Sequence, residues 1–253
     1  FQDHEWKGKT TYGPVSGANL LDWPIDTAEM DPWYTKAEHK LGVTRTEDRA
    51  GLPPSNNYKV FEAGAKAIGY KDVHTGRMAI NSAEYDGRSA CQQTGFCFQG
   101  CKWGAKWSTA YTDIPRGEAT NNLEVRDRCF AVKIEHDDKG KVTGVVYIDA
   151  DGKQQLQKAR VVSVACNAIE SPRLLLNSAS SMFPDGLANS SGQVGRNYMR
   201  HTTGSVYAVF DKPVSMWRGT VMAGYIGDER HHDPSRGFVG GFEFETTATA
   251  DRW

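Results

Sequence analysis

The sequence is organised around residues 88–108, RSACQQTGFCFQGCKWGAKWS. This stretch holds three of the five cysteines of the chain, Cys91, Cys97 and Cys101, at intervals of six and four positions. Glycines lie between and after them and make the loop flexible, so the three side chains can converge on one point. Deprotonated cysteines bind soft metal ions and iron–sulfur clusters. The pattern therefore indicates a metal or iron–sulfur site.

The number of cysteines narrows the kind of site. A tetrahedral zinc site or a four-iron cluster takes four ligands. The nearest further candidates are His74 and Cys129, and both lie outside the stretch. Three thiolates without a fourth would suit a three-iron cluster. A Cys97–Cys101 disulfide beside one free thiol, or three unrelated thiols, would explain the same spacing.

Composition argues against several classes of protein. The net charge of −1 gives no basic surface of the kind that binds nucleic acid or an anionic membrane. No run approaches the roughly 18 apolar residues of a membrane span. No nucleophile triad, Walker loop or GxGxxG fingerprint is found in the 253 residues. The cysteine stretch is therefore the main pointer to chemistry.

Two helices are predicted before the cysteine stretch. Apolar residues recur at helical spacing over residues 27–41, after a cap at Asp26 or Thr27 and before a stop at Gly42. We expect the aromatic residues of this helix to pack in the core. A second amphipathic helix is predicted over residues 58–70, whereas residues 1–20 have the composition of a loop.

After the cysteine stretch the pattern changes to strands. Residues 122–158 alternate and turn at 138–140 and 151–152, which predicts a β-meander. The apolar run 161–166 predicts a strand buried on both faces. A helix follows, with Ser171 as its cap and Pro172 in its first turn. A strand, a turn and a helix start in succession let a phosphate or a ring approach backbone N–H groups.

The last part of the chain predicts further strands, over residues 204–210, 220–227 and 238–246. His201 is expected to be buried and hydrogen-bonded, and His231 and His232 to be solvated in a charged loop.

Several of these segments resemble the glucose–methanol–choline (GMC) family of flavin oxidoreductases. They are DWPIDTAEMDPWYTKAEHKLGV (22–43), the meander with its apolar run, IESPRLLLNS (169–178) and VGRNYMRH (194–201). Together they cover nearly all of residues 21–201 in the order of the family. The usual Gly at the start of the second family signature is replaced by Asn167.

The resemblance implies a mixed fold, α+β or α/β. Its FAD domain would be partial, formed by the meander and the strand–turn–helix, with part of an antiparallel-sheet substrate domain. The expected segments are 1–75 (substrate domain or cap, with two helices), 76–118 (iron–sulfur loop region), 119–200 (FAD domain) and 201–253 (substrate-domain strands).

Within the family, the cysteine spacing and the following GAK are similar to the catalytic subunits of bacterial membrane-associated sugar dehydrogenases. That resemblance implies FAD and a [3Fe-4S] cluster on Cys91, Cys97 and Cys101. It also implies a cytochrome c subunit, a small chaperone-like subunit, a periplasmic location and a membrane association through partners alone.

Carried over position by position, the resemblance implies FAD contacts at Ala131 and at the turn Ala165, Cys166 and Asn167. The family's GxGxxG would precede Phe1 and its catalytic His would follow Trp253. We therefore expect a central segment with no catalytic residue of its own, inactive when alone.

The function expected of the whole enzyme is oxidation of a sugar or alcohol hydroxyl. A general base would take the hydroxyl proton, FAD would accept hydride, and electrons would leave singly through the cluster to cytochrome c. The alternatives are an oxidase-like GMC relative with a structural disulfide, and an inactive fragment that serves as a scaffold.

Overall fold

The computed structural model describes residues 3–16 and 20–247. The chain divides into two compact units, one of residues 1–120 with 209–253 and one of residues 121–208. The described residues combine helices with two antiparallel three-stranded sheets, which confirms the mixed class. The four segment boundaries expected from the resemblance stay a prediction.

The helices are α1 (Asp3–Trp6), α2 (Gly8–Tyr12), α3 (Thr27–Leu41), α4 (Asn56–Ala67), α5 (Asp113–Ala119) and α6 (Glu170–Asn177). The strands are β1 (Val73–His74), β2 (Phe130–His136), β3 (Val142–Ile148), β4 (Gln154–Lys158), β5 (Met222–Ile226) and β6 (Phe244–Thr247).

Helix α3 has the predicted boundaries. The Asp26 carboxylate accepts the N–H of Glu29 at 3.0 Å, and Gly42 ends the helix with φ +69°. The predicted packing of its aromatic residues is wrong, because no residue of α3 is buried and Trp33 is 59% exposed. Helical spacing defines a face of a helix, but it does not say whether another element covers that face.

Helix α4 packs on the sheet of the first unit, whose strand order is β1-β5-β6. The Ser55 hydroxyl caps it by accepting the N–H of Tyr58 at 3.2 Å, so the helix begins two residues before the predicted start. The Tyr58 ring is buried against Ala223 and Val73. Strand β5 approaches α4 so closely that a Cβ on Gly224 would lie 2.6 Å from Tyr58 Cδ2.

The second unit contains the predicted meander, with strands in the order β2-β3-β4 and all pairs antiparallel. Helix α6 packs on β2, and Ile134, Leu174 and Leu187 form the buried cluster between them. The Ser178 hydroxyl is fully buried; it accepts the N–H of Ile134 at 2.9 Å and donates to the Leu174 carbonyl at 2.6 Å. Strand and helix are thereby joined by both packing and hydrogen bonds.

The predicted strand over residues 161–166 is wrong. The segment forms no strand, and only Val162 and Val164 turn toward the core cluster, while Val161 is 83% exposed. A strand buried on both faces needs a packed layer on each side. The described structure supplies such a layer on one side.

Two further predictions are wrong. Residues 204–210 form no strand and are exposed, although their β-branched and aromatic residues are typical of one. Residues 3–12, predicted as loop, contain α1 and α2. The strand predicted over residues 220–227 is confirmed by β5. The strand predicted over residues 238–246 is confirmed only from Phe244, where β6 begins, and is wrong for residues 238–243, which form no strand. Helix α5 was not predicted. Among the described helices, none is both long and apolar enough to span a membrane.

Candidate functional site

The structure brings the three cysteines of residues 88–108 together. Cys91, Cys97 and Cys101 are half-buried, line a common pocket, and pack against a buried apolar cluster. That cluster consists of Leu52, Ile80 and Ala105. Residues that are ten positions apart in a flexible loop have therefore converged around one point. Their role as ligands stays a prediction.

Backbone hydrogen bonds fix both ends of the cysteine stretch to residues 79–81. The Asn81 N–H donates to the Ala105 carbonyl at 2.9 Å, and the Asn81 carbonyl accepts the Cys91 N–H at 2.8 Å. The Asn81 side chain is 2% exposed and donates to the carbonyl of Arg88 at 3.0 Å. A single buried asparagine thus holds the start and the end of the loop at the same place.

Arg88 adds a second internal tie. Its guanidinium donates to the carbonyls of Gly104 at 3.3 Å, Ala105 at 3.2 Å and Leu41 at 3.4 Å. The residue is only 6% exposed, and burial lowers the pKa of the guanidinium from its usual value. Arg88 lies at the start of the cysteine stretch, and its hydrogen bonds to Gly104 and Ala105 hold the end of that stretch close to the start.

A distant segment completes the loop. Gly219 donates its N–H to the Gln93 carbonyl at 3.1 Å and accepts the N–H of Gly95 at 3.1 Å. The two segments form a short parallel bridge between Thr94 and Gly219, and Gly219 lines the pocket. The sequence offered no signal for this contact, because the partners lie more than a hundred positions apart.

Burial and neighbouring thiols shape the electrostatics of Cys91. Burial raises the pKa of the Cys91 thiol, the Gln93 N–H, 3.3 Å from its Sγ, opposes that rise, and Cys97 and Cys101 add to it. Burial thus favours the protonated thiol of Cys91 in the metal-free protein, and a metal that binds Cys91 must displace that proton.

The disulfide interpretation finds no support in the geometry, because Cys91, Cys97 and Cys101 are free cysteines. Nor do the described ranges, 3–16 and 20–247, contain a group of three His, Cys, Asp or Glu residues disposed around a single metal ion. What the structure shows is three free thiols around one pocket.

The predicted FAD contacts all lie in the unit of residues 121–208. Ala131, in β2, is partly buried and packs against the Ile134 cluster. Ala165, Cys166 and Asn167 are exposed and lie at the start of α6. Their contact with FAD stays a prediction.

The start of α6 differs from the prediction. The Asn167 side chain accepts the N–H groups of Ile169 at 2.8 Å and Glu170 at 2.7 Å, so Asn167 holds the helix start. Ser171, the predicted cap, instead accepts the N–H of Cys166 at 3.1 Å. The helix begins at Glu170, one position before Ser171, and that offset removes Ser171 from the cap position.

The histidines singled out in the sequence, His201, His231 and His232, differ in burial. His201 is exposed, so the expectation that it is buried is wrong. His231 is exposed as predicted, whereas His232 is partly buried and its Nδ1 accepts the N–H of Gly240 at 3.2 Å. The ring of His232 also meets Tyr12 edge-on, with centroids 5.0 Å apart.

Comparison with known proteins places the chain in a family. Residues 19–203 match the sequence profile described as GMC oxidoreductase. The chain therefore belongs to the GMC oxidoreductase family.

Individual relatives agree with that assignment. The chain is 34% identical to paromamine 6'-oxidase of Streptomyces fradiae, over 78% of this chain and 38% of the relative. It is 32% identical to 2-methyl-1,2-propanediol dehydrogenase of Mycolicibacterium austroafricanum, over 88% and 42%. It is 27% identical to the fructose dehydrogenase large subunit of Gluconobacter japonicus, over 85% and 40%. The chain thus spans about two fifths of the length of these relatives.

Proposed function

We propose that this chain belongs to an FAD-dependent dehydrogenase that oxidises a hydroxyl of a sugar or an alcohol. Electrons would leave the flavin through a [3Fe-4S] cluster held by Cys91, Cys97 and Cys101, and pass to a cytochrome c subunit. The observation that carries the proposal is the convergence of the three free thiols on one pocket. Family membership supplies the flavin chemistry.

The names of the relatives support the substrate class. They include a fructose dehydrogenase, a diol dehydrogenase and an oxidase of paromamine. The fructose dehydrogenase relative is a large subunit, which supports an assembly with further subunits. We extend the proposal to a small chaperone-like subunit and a periplasmic enzyme that reaches the membrane through its partners.

The cysteine site fits a three-iron cluster in its donor chemistry. Thiolates are the ligands that iron–sulfur clusters use. Cys91, Cys97 and Cys101 would supply the three sulfur ligands of such a cluster. Arg88 and Asn81 would hold the loop, and the Cys91 thiol would release its proton when iron binds.

The second unit would contribute to FAD binding. When bound, FAD supplies the acceptor for a hydride. Ala165 and Asn167 are exposed beside the start of α6, so a ligand can approach the backbone at this turn. Asn167 already accepts the N–H groups of Ile169 and Glu170, so these two N–H groups would serve the helix and not a phosphate. Ala131 would contact the ligand from β2.

The experiment that tests the proposal is iron and acid-labile sulfide analysis with EPR of the oxidised full-length protein. We expect a three-iron signal in the wild type and its loss in Cys97→Ser. Cys129→Ser is the matched control, because Cys129 is a free, exposed cysteine of the other unit. Absence of the signal from the wild type, or its survival in Cys97→Ser, would overturn the cluster assignment.

An oxidase is the second candidate, favoured by the 34% identity to paromamine 6'-oxidase. The two functions differ in the electron acceptor. Anaerobically reduced enzyme mixed with oxygen or with oxidised cytochrome c separates them: rapid reoxidation by oxygen alone identifies the oxidase. A protein that purifies without flavin absorbance would instead favour the scaffold.

A further inference from the structure

Lys106 lies at the cysteine pocket and is held there. It is partly buried and lines the pocket together with Cys91, Cys97 and Cys101. Its ammonium donates to the Cys97 carbonyl at 2.9 Å. The same Nζ lies 5.9 Å from the ring centroid of Phe98. The ammonium is therefore hydrogen-bonded to the backbone of one of the three cysteines.

The position of this charge is set by the backbone as well. Ile80 and Lys106 form an isolated antiparallel bridge, and the residues on either side of Lys106 are hydrogen-bonded to residues 79–81. The Lys106 side chain thus extends from a stretch of backbone that hydrogen bonds hold in place beside the pocket. Lys102, by contrast, is exposed, does not line the pocket, and places its Nζ 5.6 Å from the Trp103 ring centroid.

The charge of Lys106 is not neutralised by an ion pair. Across residues 3–16 and 20–247, no carboxylate lies within ion-pair distance of its Nζ. Arg88, which ties the ends of the loop, is hydrogen-bonded to carbonyl oxygens, and the Asp86 carboxylate interacts with its charge. Apart from the thiols themselves, Lys106 is the ionisable residue among those that line the pocket.

We infer that Lys106 raises the reduction potential of the electron-transfer centre that Cys91, Cys97 and Cys101 hold. The inference rests on the proposed function. One electron arriving from the reduced flavin makes the centre more negative by one charge, with no bond to the protein made or broken. A nearby fixed ammonium in a partly buried site favours that reduced state more than the oxidised one. Net charge, hydrogen bonds and exposure are the terms that set such potentials.

A purely structural role makes a different prediction. If Lys106 only held the Cys97 carbonyl, any side chain that donates a hydrogen bond there would serve. Lys106→Gln keeps an N–H donor and removes the charge. Lys106→Arg keeps both, and Lys106→Met keeps the apolar stem alone. Lys102→Gln removes an equal charge from an exposed position four residues away and is the matched control.

The test is an EPR-monitored redox titration of the full-length holoenzyme, with iron content measured on the same samples. We expect a lower midpoint potential in Lys106→Gln and Lys106→Met, and a potential near that of the wild type in Lys106→Arg and Lys102→Gln. Equal potentials in wild type and an iron-loaded neutral variant would overturn the inference. Loss of iron from both neutral variants, with full loading of Lys106→Arg, would also overturn it, because Lys106 would then serve assembly. A wild type without a cluster signal would show that the proposed function itself has failed.

Discussion

The guanidinium of Arg88 donates a hydrogen bond to the carbonyl oxygen of Ala105 at 3.2 Å, and it thereby closes the segment that carries the three cysteines. Both residues are buried, and seventeen positions separate them in the chain. The closure explains how a glycine-rich loop keeps Cys91, Cys97 and Cys101 on one pocket. The backbone and side-chain hydrogen bonds of Asn81 hold the same two ends of the loop.

Arg88→Met is expected to destabilise the protein and loosen the cysteine loop. It leaves the carbonyls of Gly104 and Ala105 without this donor, and hydrogen bonds to charged groups contribute about 1.5–3 kcal/mol. Urea unfolding gives the loss of stability, and hydrogen exchange over residues 88–108 gives the loosening. Arg116→Gln is the control: it breaks an exposed 2.7 Å ion pair with Asp86, and exposed ion pairs contribute little to stability. Equal effects of the two changes would contradict the role of Arg88.

Gly224→Ala and Gly64→Ala are expected to change stability in opposite directions. A Cβ on Gly224 would lie 2.6 Å from Tyr58 Cδ2 and 3.0 Å from Thr246 Cγ2, so overpacking should cost about 1–3 kcal/mol. A Cβ on Gly64, inside α4, meets nothing within 4 Å. Alanine there should stabilise the helix by about 0.5–1 kcal/mol. Thermal unfolding of both variants is the measurement, and a stabilising Gly224→Ala would show that α4 and β5 are not packed as described.

Asn167→Ala is expected to destabilise the start of α6. The substitution removes the acceptor for the N–H groups of Ile169 and Glu170, and loss of a helix cap costs about 0.5–2 kcal/mol. Asn167→Asp keeps the acceptor and adds a negative charge near a helix N-terminus, which is favourable. Urea midpoints of the three proteins should therefore rank alanine lowest. An aspartate variant as unstable as the alanine variant would argue against capping.

Asp228 is expected to make folding depend on pH in the acid range. Its carboxylate accepts the N–H groups of Lys71 at 3.0 Å and Asp72 at 2.7 Å, and these bonds, the Lys71 bond first, hold its pKa below the usual value. The stabilisation is thus complete above about pH 4, the ordinary range of Asp in an unfolded chain. It is lost as the pH falls through the lower pKa of the folded state.

The measurement is the urea midpoint at pH 7 and pH 3 for the wild type, Asp228→Asn and the exposed control Asp211→Asn. We expect Asp228→Asn to lower the midpoint at pH 7 and to narrow the difference between the two pH values. Asp211→Asn should leave the difference as it is in the wild type. The same pH dependence in all three proteins would contradict this assignment.

The parts of the fold that were predicted correctly depend on local signals. The boundaries of α3 follow from Asp26 and Gly42, whose cap conformations involve only the neighbouring backbone. The meander follows from alternation and from turns at Gly140 and Gly152, where positive φ angles favour glycine. The wrong predictions concern which apolar residues are buried. Trp33 and Val161 were expected to pack against other elements, yet both are exposed. Whether an apolar residue is buried depends on which other element reaches it, and no local pattern contains that information.

The features of the cysteine site likewise fall into those set by the local sequence and those set by the tertiary structure. The sequence by itself determined the number, type and spacing of the thiols, and glycines that let the loop bend, because these are properties of one short segment. Only the tertiary structure decided what surrounds them. Asn81 and Arg88 tie the loop ends, Gly219 arrives from a distant segment, and Lys106 brings its charge to the pocket. These contacts join residues through space, and their strength depends on burial that exists only once the chain has folded.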